Sequence, residues 1–393
     1  MTHSFQGRTL LQVIPKLIGG GAERTTLEIA RGFVAAGGRS LVVSSGGGMV
    51  EALVAEGSEH ITLPVDSKNP WLIGQNARDL QALIVKERVT LIHARSRAPA
   101  WSCLFAARRT GIPFVTTYHG TYNARTALKT LYNSVMVRSD AVIANSQFTA
   151  DNIRTQYAGK PYFDAEKMTT IPRGADLDHF APDAVSRDTI DAAEQQFGEG
   201  FKVLLPGRFT PWKGQRVLVE ALIRFRERLP AARVAAILIG RMDEKPDYVE
   251  ALRTVIAEAG LGDAVQLLPA TDNLPPFLCA ADVVVSASTE PEAFGRVAVE
   301  AQAAGTPIIA TAHGGALETV RDGETGLLVP PNDPEALASA LINLHDRGAE
   351  ERAEMGKRGV DHVHSSYSVG AMTNATFMVY DAVIKRWEIR GAG

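Results

Sequence analysis

Phe201–Glu220, FKVLLPGRFTPWKGQRVLVE, is the stretch from which the rest of the chain is read. Its apolar run Val203–Leu205 ends on Gly207–Arg208, and Lys213 stands five residues further on, beside a helix start. A short apolar run, a glycine turn and a helix make one strand-to-helix unit of a parallel sheet. Toward the C-terminus the pattern returns at Val234–Ile239, Val265–Leu267, Val283–Ser286, Ile308–Ala310 and Leu327–Val329. Upstream, beyond the polar stretch Asp183–Gly200, lies a separate series. It comprises Leu10–Ile14, Leu41–Ser44, Ile61–Val65, Leu91–His93, Phe114–Thr117, Ala141–Ala144 and Thr169–Ile171. Strands this apolar belong to sheets covered on both faces. The spacing therefore predicts two doubly wound, Rossmann-like α/β domains, residues 1–185 and 198–365, joined near 183–200.

Length and composition agree. A chain of 393 residues exceeds one hydrophobic core, and 45% hydrophobic residues exclude a mainly disordered one. Two distant cysteines, Cys103 and Cys279, exclude a disulfide scaffold and a cysteine zinc site, and fit a reducing cytoplasm. Met1–Arg8 lacks the pattern of a signal peptide, and no apolar run approaches the length of a membrane span. The net charge of −3 hides an asymmetry: residues 1–150 carry 16 Lys/Arg against 9 Asp/Glu, the remainder 25 against 35. Two solvated surfaces of unequal charge would give this, and so would two halves facing different partners. The acidic total, without a concentrated basic-aromatic surface, argues against nucleic acid as a partner.

Ligands of open parallel sheets bind beyond the carboxyl ends of the strands. Five polar clusters fall at such ends: Ile18–Glu23, Tyr118–His119–Gly120, Gly207–Lys213, Glu290–Gly295 and His313–Gly315. This convergence predicts a cleft with the two domains facing one another across it. Gly19, Gly20 and Gly21 precede a helix, whose N-terminus offers free N–H groups to an anion. Taken alone, the loop is a plain strand-to-helix turn; it is neither a Walker loop nor a dinucleotide fingerprint. Arg208 and Lys213 can both reach one diphosphate, the guanidinium gripping two oxygens and the ammonium acting as a point charge. Glu292 and Glu300 flank Phe294–Gly295 at a helix start, roughly 10 Å apart at helical rise. One carboxylate can accept from ribose hydroxyls, the other from a sugar, with amides after Gly295 beneath the phosphates. His119 suits a contact to a sugar hydroxyl or to charge near a reacting carbon; a packed core histidine would look the same. Asp176-Leu177-Asp178 matches a metal-binding D-x-D pattern but reads as turn chemistry. With Arg208 and Lys213 as counter-charges, no metal is expected. His362 and His364 read as surface residues of a polar helical tail.

The ordered set resembles the family 4 glycosyltransferases, retaining enzymes of the GT-B architecture. It includes Gly20–Gly21, Tyr118–His119–Gly120, Asn145–Ser146, Ile171–Phe180, Gly207–Gly214, the E-x7-E element Glu292–Glu300 and Thr306–Pro330. The resemblance implies donor diphosphate on Arg208 and Lys213, ribose on Glu300, and the transferred sugar by Glu292. It places Phe294, Gly295 and the following amides against sugar and phosphate, His119 near the anomeric centre, and Gly20–Gly21 close to phosphate and acceptor. It implies acceptor recognition by the first domain and a C-terminal helix, residues 366–393, crossing back onto it. Arg296 and Leu317 depart from the family pattern; Arg296 either adds a phosphate or sugar contact or faces solvent. The wording around Ser96–Tyr122 is similar to lipopolysaccharide-core sugar transferases, mannosyltransferases among them. The expectation is a cytoplasmic hexosyltransferase, peripheral to the inner membrane leaflet. It would use a nucleoside-diphosphate sugar and a glycan or lipid-linked glycan acceptor. A basic first domain suits such a surface, and Arg125–Arg138 reads as a helix with Leu128, Leu131, Tyr132 and Val135 on one face. The rivals are a nucleotide-sugar 2-epimerase of the same plan and a non-catalytic sugar-nucleotide-binding partner.

Overall fold

The computed structural model describes residues 3–122 and 126–391. The chain forms two compact units, Met1–Gly174 with Val369–Gly393, and Ala175–Ser368.

The first unit holds a seven-stranded parallel sheet: β1 Thr9–Val13, β2 Arg39–Ser44, β3 Glu59–Thr62, β4 Leu91–Ala94, β5 Phe114–Tyr118, β6 Ala141–Ala144 and β7 Met168–Thr170. Their order is β3-β2-β1-β4-β5-β6-β7. Alternation along the strands feeds two cores. Leu11, Val13, Leu41, Val43 and Ile92 bury on one face. Leu10, Leu91, Val115 and Ile143 bury on the other, against Phe377 and Tyr380 of the C-terminal helix Val369–Gly391. The hydroxyl of Tyr380 is hydrogen-bonded to Nδ1 of the buried His93 at 2.6 Å, and Nε2 of that ring to Thr117 Oγ1 at 2.8 Å. One histidine thus fastens the helix to β4 and β5.

The second unit holds six parallel strands: β8 Phe201–Pro206, β9 Val234–Gly240, β10 Val265–Pro269, β11 Val283–Ser286, β12 Ile308–Thr311 and β13 Gly326–Val329. Their order is β10-β9-β8-β11-β12-β13. Val203, Leu205, Leu238 and Val285 face one core; Leu204, Ile237, Val284 and Ile308 face the other. In each sheet the order reverses beside the first strand, so β1/β4 and β8/β11 are the switch points at whose carboxyl ends crevices form.

Four sequence expectations need correction. The division falls at Gly174 and Ala175, and 183–200 is no linker. Within that stretch, helix Arg187–Phe197 buries Ile190, Ala193 and Phe197 at helical spacing against Leu204 and Ile237 of the second unit. The third strand is Glu59–Thr62 rather than Ile61–Val65, because at the sheet edge it is only half-buried and carries little apolar signal. The helix expected over 125–138 is Ala127–Asn133 followed by a 3₁₀ turn Ser134–Val137; Arg125 lies outside the described residues. Its apolar set divides: Val135 is buried, whereas Leu128 is 76% exposed. Lastly, His362 is buried, its ring edge-on to Tyr367 at 5.5 Å.

Candidate active site

In the second unit the switch point brings together side chains that are 79 residues apart in sequence. β8 delivers Arg208 and a 3₁₀ turn, Pro211–Lys213, closed by Gly214 in the left-handed region at φ 73°. β11 delivers Ser288 and Glu292. Lys213 Nζ meets Glu292 Oε1 at 2.7 Å, with the two side chains only 13% and 18% exposed. Ser288 Oγ donates to the same carboxylate oxygen. The Thr289 amide donates to Trp212 O at 2.7 Å, which fixes the two loops in register. Lys213 also sits 4.5 Å from the centre of the Trp212 ring, so its ammonium is held by a ring face and a carboxylate together.

A third loop, from β12, packs under Glu292. Gly315 N donates to Glu292 O at 2.8 Å, and a Cβ on Gly314 would fall 2.4 Å from that oxygen. Backbone contact this close is why two glycines follow His313. The imidazole Nε2 of His313 reaches Ser288 O at 2.8 Å, and Thr311 Oγ1 donates to that carbonyl.

Beyond Glu292 the chain turns through Gly295, φ 77°, into helix Arg296–Ala303. Gly295 is the N-cap, and no side chain caps this end, so the first amides stay available to an anion. Glu300 is buried on this helix and its Oε1 accepts from Arg296 Nη2 at 2.6 Å. Arg296 is thus neither solvent-directed nor free; it neutralises Glu300 one turn away. The ring of Phe294 turns into the core, edge-on to Tyr367 at 5.6 Å, so only its backbone can face a ligand. Arg208 stands apart from Lys213's pair, half-exposed and 3.5 Å from Glu244. Each candidate donor-site cation therefore meets a carboxylate: Lys213 with Glu292, Arg296 with Glu300, Arg208 with Glu244.

In the first unit Gly20 caps helix Gly21–Ala35. A Cβ on Gly21 would lie 2.1 Å from Arg173 Nη1, so the glycine makes room for a guanidinium at the positive end of that helix. Arg173 Nη2 reaches His119 Nδ1 at 3.3 Å. A guanidinium can only donate, so Nδ1 is the acceptor and the neutral imidazole carries its proton on Nε2. Burial, and then the charges of Arg95 and Arg173, hold the His119 pKa well below its usual 6.5. Arg95 itself is 2% exposed, and burial pushes its pKa down to about 10. Its Nε and Nη2, like both amide atoms of buried Asn145, lack a protein partner among the described residues. With His119 and Arg173 they line a cavity of about 20 Å³, room for one water. Sequence reading missed Arg173 and Arg95; Arg95 directly follows β4 and Arg173 stands three residues beyond β7, where the same strand-exit logic applies.

The two most strongly depressed histidines set a pH response. His93, also pushed well below 6.5 by burial, joins His119 in staying neutral while the unfolded chain protonates. Below pH 6.5 the unfolded state binds more protons, so stability falls as pH falls, by up to about 1.4 kcal/mol per pH unit for each histidine. Urea midpoints at pH 7.5, 6.5 and 5.5 should decline in that order, and His93→Gln should flatten the slope. A midpoint that rises toward pH 5.5 would contradict neutral, buried rings.

Comparisons with known proteins show the family. A family 4 glycosyltransferase model matches residues 19–179, and a model of glycosyl transferases group 1 matches residues 186–362. A D-inositol 3-phosphate glycosyltransferase of Paenarthrobacter aurescens is 33% identical over 226 residues, 57% of this chain and 53% of that protein. The chain thus spans about half the length of this curated relative. A glycosyltransferase structure from Rickettsia africae is 33% identical, covering 96% of this chain and 99% of that one, with a TM-score of 0.87. The Anabaena protein HepE, solved with UDP-glucose, is 25% identical over 95% of this chain and 98% of its own, with a TM-score of 0.78. With both halves matched in order and two Rossmann-like sheets of the GT-B type, the chain belongs to the family 4 glycosyltransferases.

Proposed function

We propose that the protein moves a hexose, mannose as first choice, from a nucleoside-diphosphate sugar to a glycan or lipid-linked glycan. On this reading it serves lipopolysaccharide or other cell-surface polysaccharide synthesis, the anomeric configuration is retained and no metal is required. The observation that carries the reading is the Lys213–Glu292–Ser288 contact at the β8/β11 switch point, beside the uncapped helix after Gly295. HepE's complex with UDP-glucose supports a nucleotide-sugar donor.

The chemistry follows from charge. As the anomeric bond breaks, negative charge grows on the diphosphate and positive charge on the sugar ring. Lys213, Arg208 and the amides after Gly295 oppose the first. Glu292, already on Lys213, offsets the second and accepts from sugar hydroxyls. Glu300 takes the ribose through the carboxylate oxygen that Arg296 leaves open. His119, a neutral donor at Nε2, can give a hydrogen bond to substrate but cannot serve as a base through that nitrogen. The acceptor hydroxyl attacks from the face the leaving phosphate vacates and passes its proton to that departing phosphate, whose bond to the anomeric carbon breaks.

The chain works in the cytoplasm on this reading, at the inner leaflet, where Leu128 and Leu131 of helix Ala127–Asn133 lie exposed beside Lys129. Among the described residues no helix is long and apolar enough to cross a membrane.

A thermal-shift screen of UDP, GDP, ADP and their sugars would identify the donor, since binding to the folded state raises its melting point. The chosen donor is then incubated with and without a glycan acceptor. Transfer should require the acceptor and preserve the anomeric configuration by NMR. An epimerised donor in the absence of acceptor would instead establish a 2-epimerase. Glu292→Gln should reduce turnover by about 10²-fold or more; transfer at the wild-type rate would remove Glu292 from the mechanism.

A further inference from the structure

Four neighbouring strands of the first sheet, β4, β5, β6 and β7, send the residues at their carboxyl ends to one place. Arg95, His119 and Asn145 directly follow β4, β5 and β6, and Arg173 stands three residues beyond β7. All four line the cavity of about 20 Å³. Two guanidinium groups thus share its wall, and no acidic residue lines it. Arg95 and Asn145 are only 2% and 3% exposed. Neither Nε nor Nη2 of Arg95, nor either amide atom of Asn145, has a partner among the described residues. The hydroxyls on the wall are already engaged: Thr25 with Gly21 O, Thr117 with His93 and Thr376 with Met372 O.

Charge is the larger deficit. Burial lowers the Arg95 pKa only to about 10, so the group stays charged at neutral pH. Glu28 acts on it from a distance, but among the described residues no carboxylate comes within 4 Å of Arg95. Buried charges are ordinarily paired, and the other ionised group on this wall, Arg173, has the same sign. One water would satisfy N–H donors and leave both charges uncompensated. The Nε and Nη2 edge of a guanidinium presents two parallel N–H bonds, suited to an anion held side-on. Room for one water also admits a halide, which is little larger. Phosphate and sulfate, with four oxygens around a central atom, are too large for it.

We propose that this cavity is a structural anion site that takes a monatomic halide, chloride under ordinary conditions, on Arg95 Nε and Nη2 and Asn145 Nδ2. The ion neutralises the guanidinium groups and joins the ends of four adjacent strands, among them the exit that carries His119. Nothing in this depends on the sugar-transfer reading, and it holds or fails separately from it.

Melting points of the full chain and of Arg95→Met are measured in sodium chloride and in sodium gluconate at equal ionic strength. Methionine keeps the apolar length and deletes the charge. General salt effects act on both proteins alike, so the difference between them isolates the cavity. Wild type should show a saturable rise of about 3–6 °C over the variant's response once chloride reaches ten times its dissociation constant. Bromide should act like chloride. In gluconate, Arg95→Met should melt at or above wild type, because it no longer buries an unpaired charge. A second measurement needs no variant: wild-type crystals soaked in sodium bromide should show an anomalous peak within hydrogen-bonding distance of Arg95 Nε and Asn145 Nδ2. An equal chloride response in both proteins would overturn the proposal, and so would water rather than bromide at that position.

Discussion

Lys213→Met should lower kcat/KM for sugar transfer by about 10²–10³-fold, the cost typical of removing one electrostatic contact from a developing anion. The side chain is mostly enclosed, between the Trp212 ring and Glu292, and methionine keeps its apolar length while deleting the charge. The loss should fall mainly on kcat, because leaving-group charge is greatest in the transition state. Glu292 would be left with the Ser288 hydroxyl but no cation, so the single variant should also be less stable. Lys213→Met with Glu292→Gln separates the two effects. The double variant should recover the melting point toward wild type and recover no turnover, which a double-mutant cycle reads directly. Turnover of Lys213→Met within threefold of wild type would mean that the ammonium does not oppose leaving-group charge.

Gly214→Ala should be the most damaging single methyl group in the second unit. Its φ of 73° is unfavourable for alanine, and the added Cβ would fall 1.8 Å from Ala287 O. The conformation alone costs about 1–2 kcal/mol; the collision with backbone must be relieved by moving the turn that carries Lys213 or the strand exit that carries Ser288. Both stability and transfer should drop. Gly159→Ala is the control, with a φ of 69° and nothing within 4 Å of the added atom. It should lose only the conformational part and keep full activity. If the two variants lost equal stability and activity, close packing of the Lys213 turn on β11 would not be what holds the site.

The polar clusters at strand exits were legible because a parallel sheet leaves its loops nowhere else to gather ligands. Gly207–Arg208, Lys213, Glu292 and His313 could each be found from a short apolar run followed by glycine and charge. The apolar runs likewise gave thirteen strands nearly in place, failing only where an edge strand such as Glu59–Thr62 is half-wet. Helix Arg187–Phe197 escaped because its polar majority outweighs three buried residues, although their spacing was there to be read.

What no local pattern contains is pairing across long sequence separation. That Lys213 rests on Glu292, and that Arg173 sits over Gly21 and fixes the proton of His119 on Nε2, follow from strand order. Arg296 shows the limit most plainly: its charge could be read from the chain, but its partner among the surrounding acids could not. The chain by itself determined two parallel sheets and the residue types at their exits, since periodicity and glycine placement are properties of neighbours in sequence. Which carboxylate each cation meets was decided by the fold alone, because charge compensation depends on distances of a few ångströms between segments far apart in the chain.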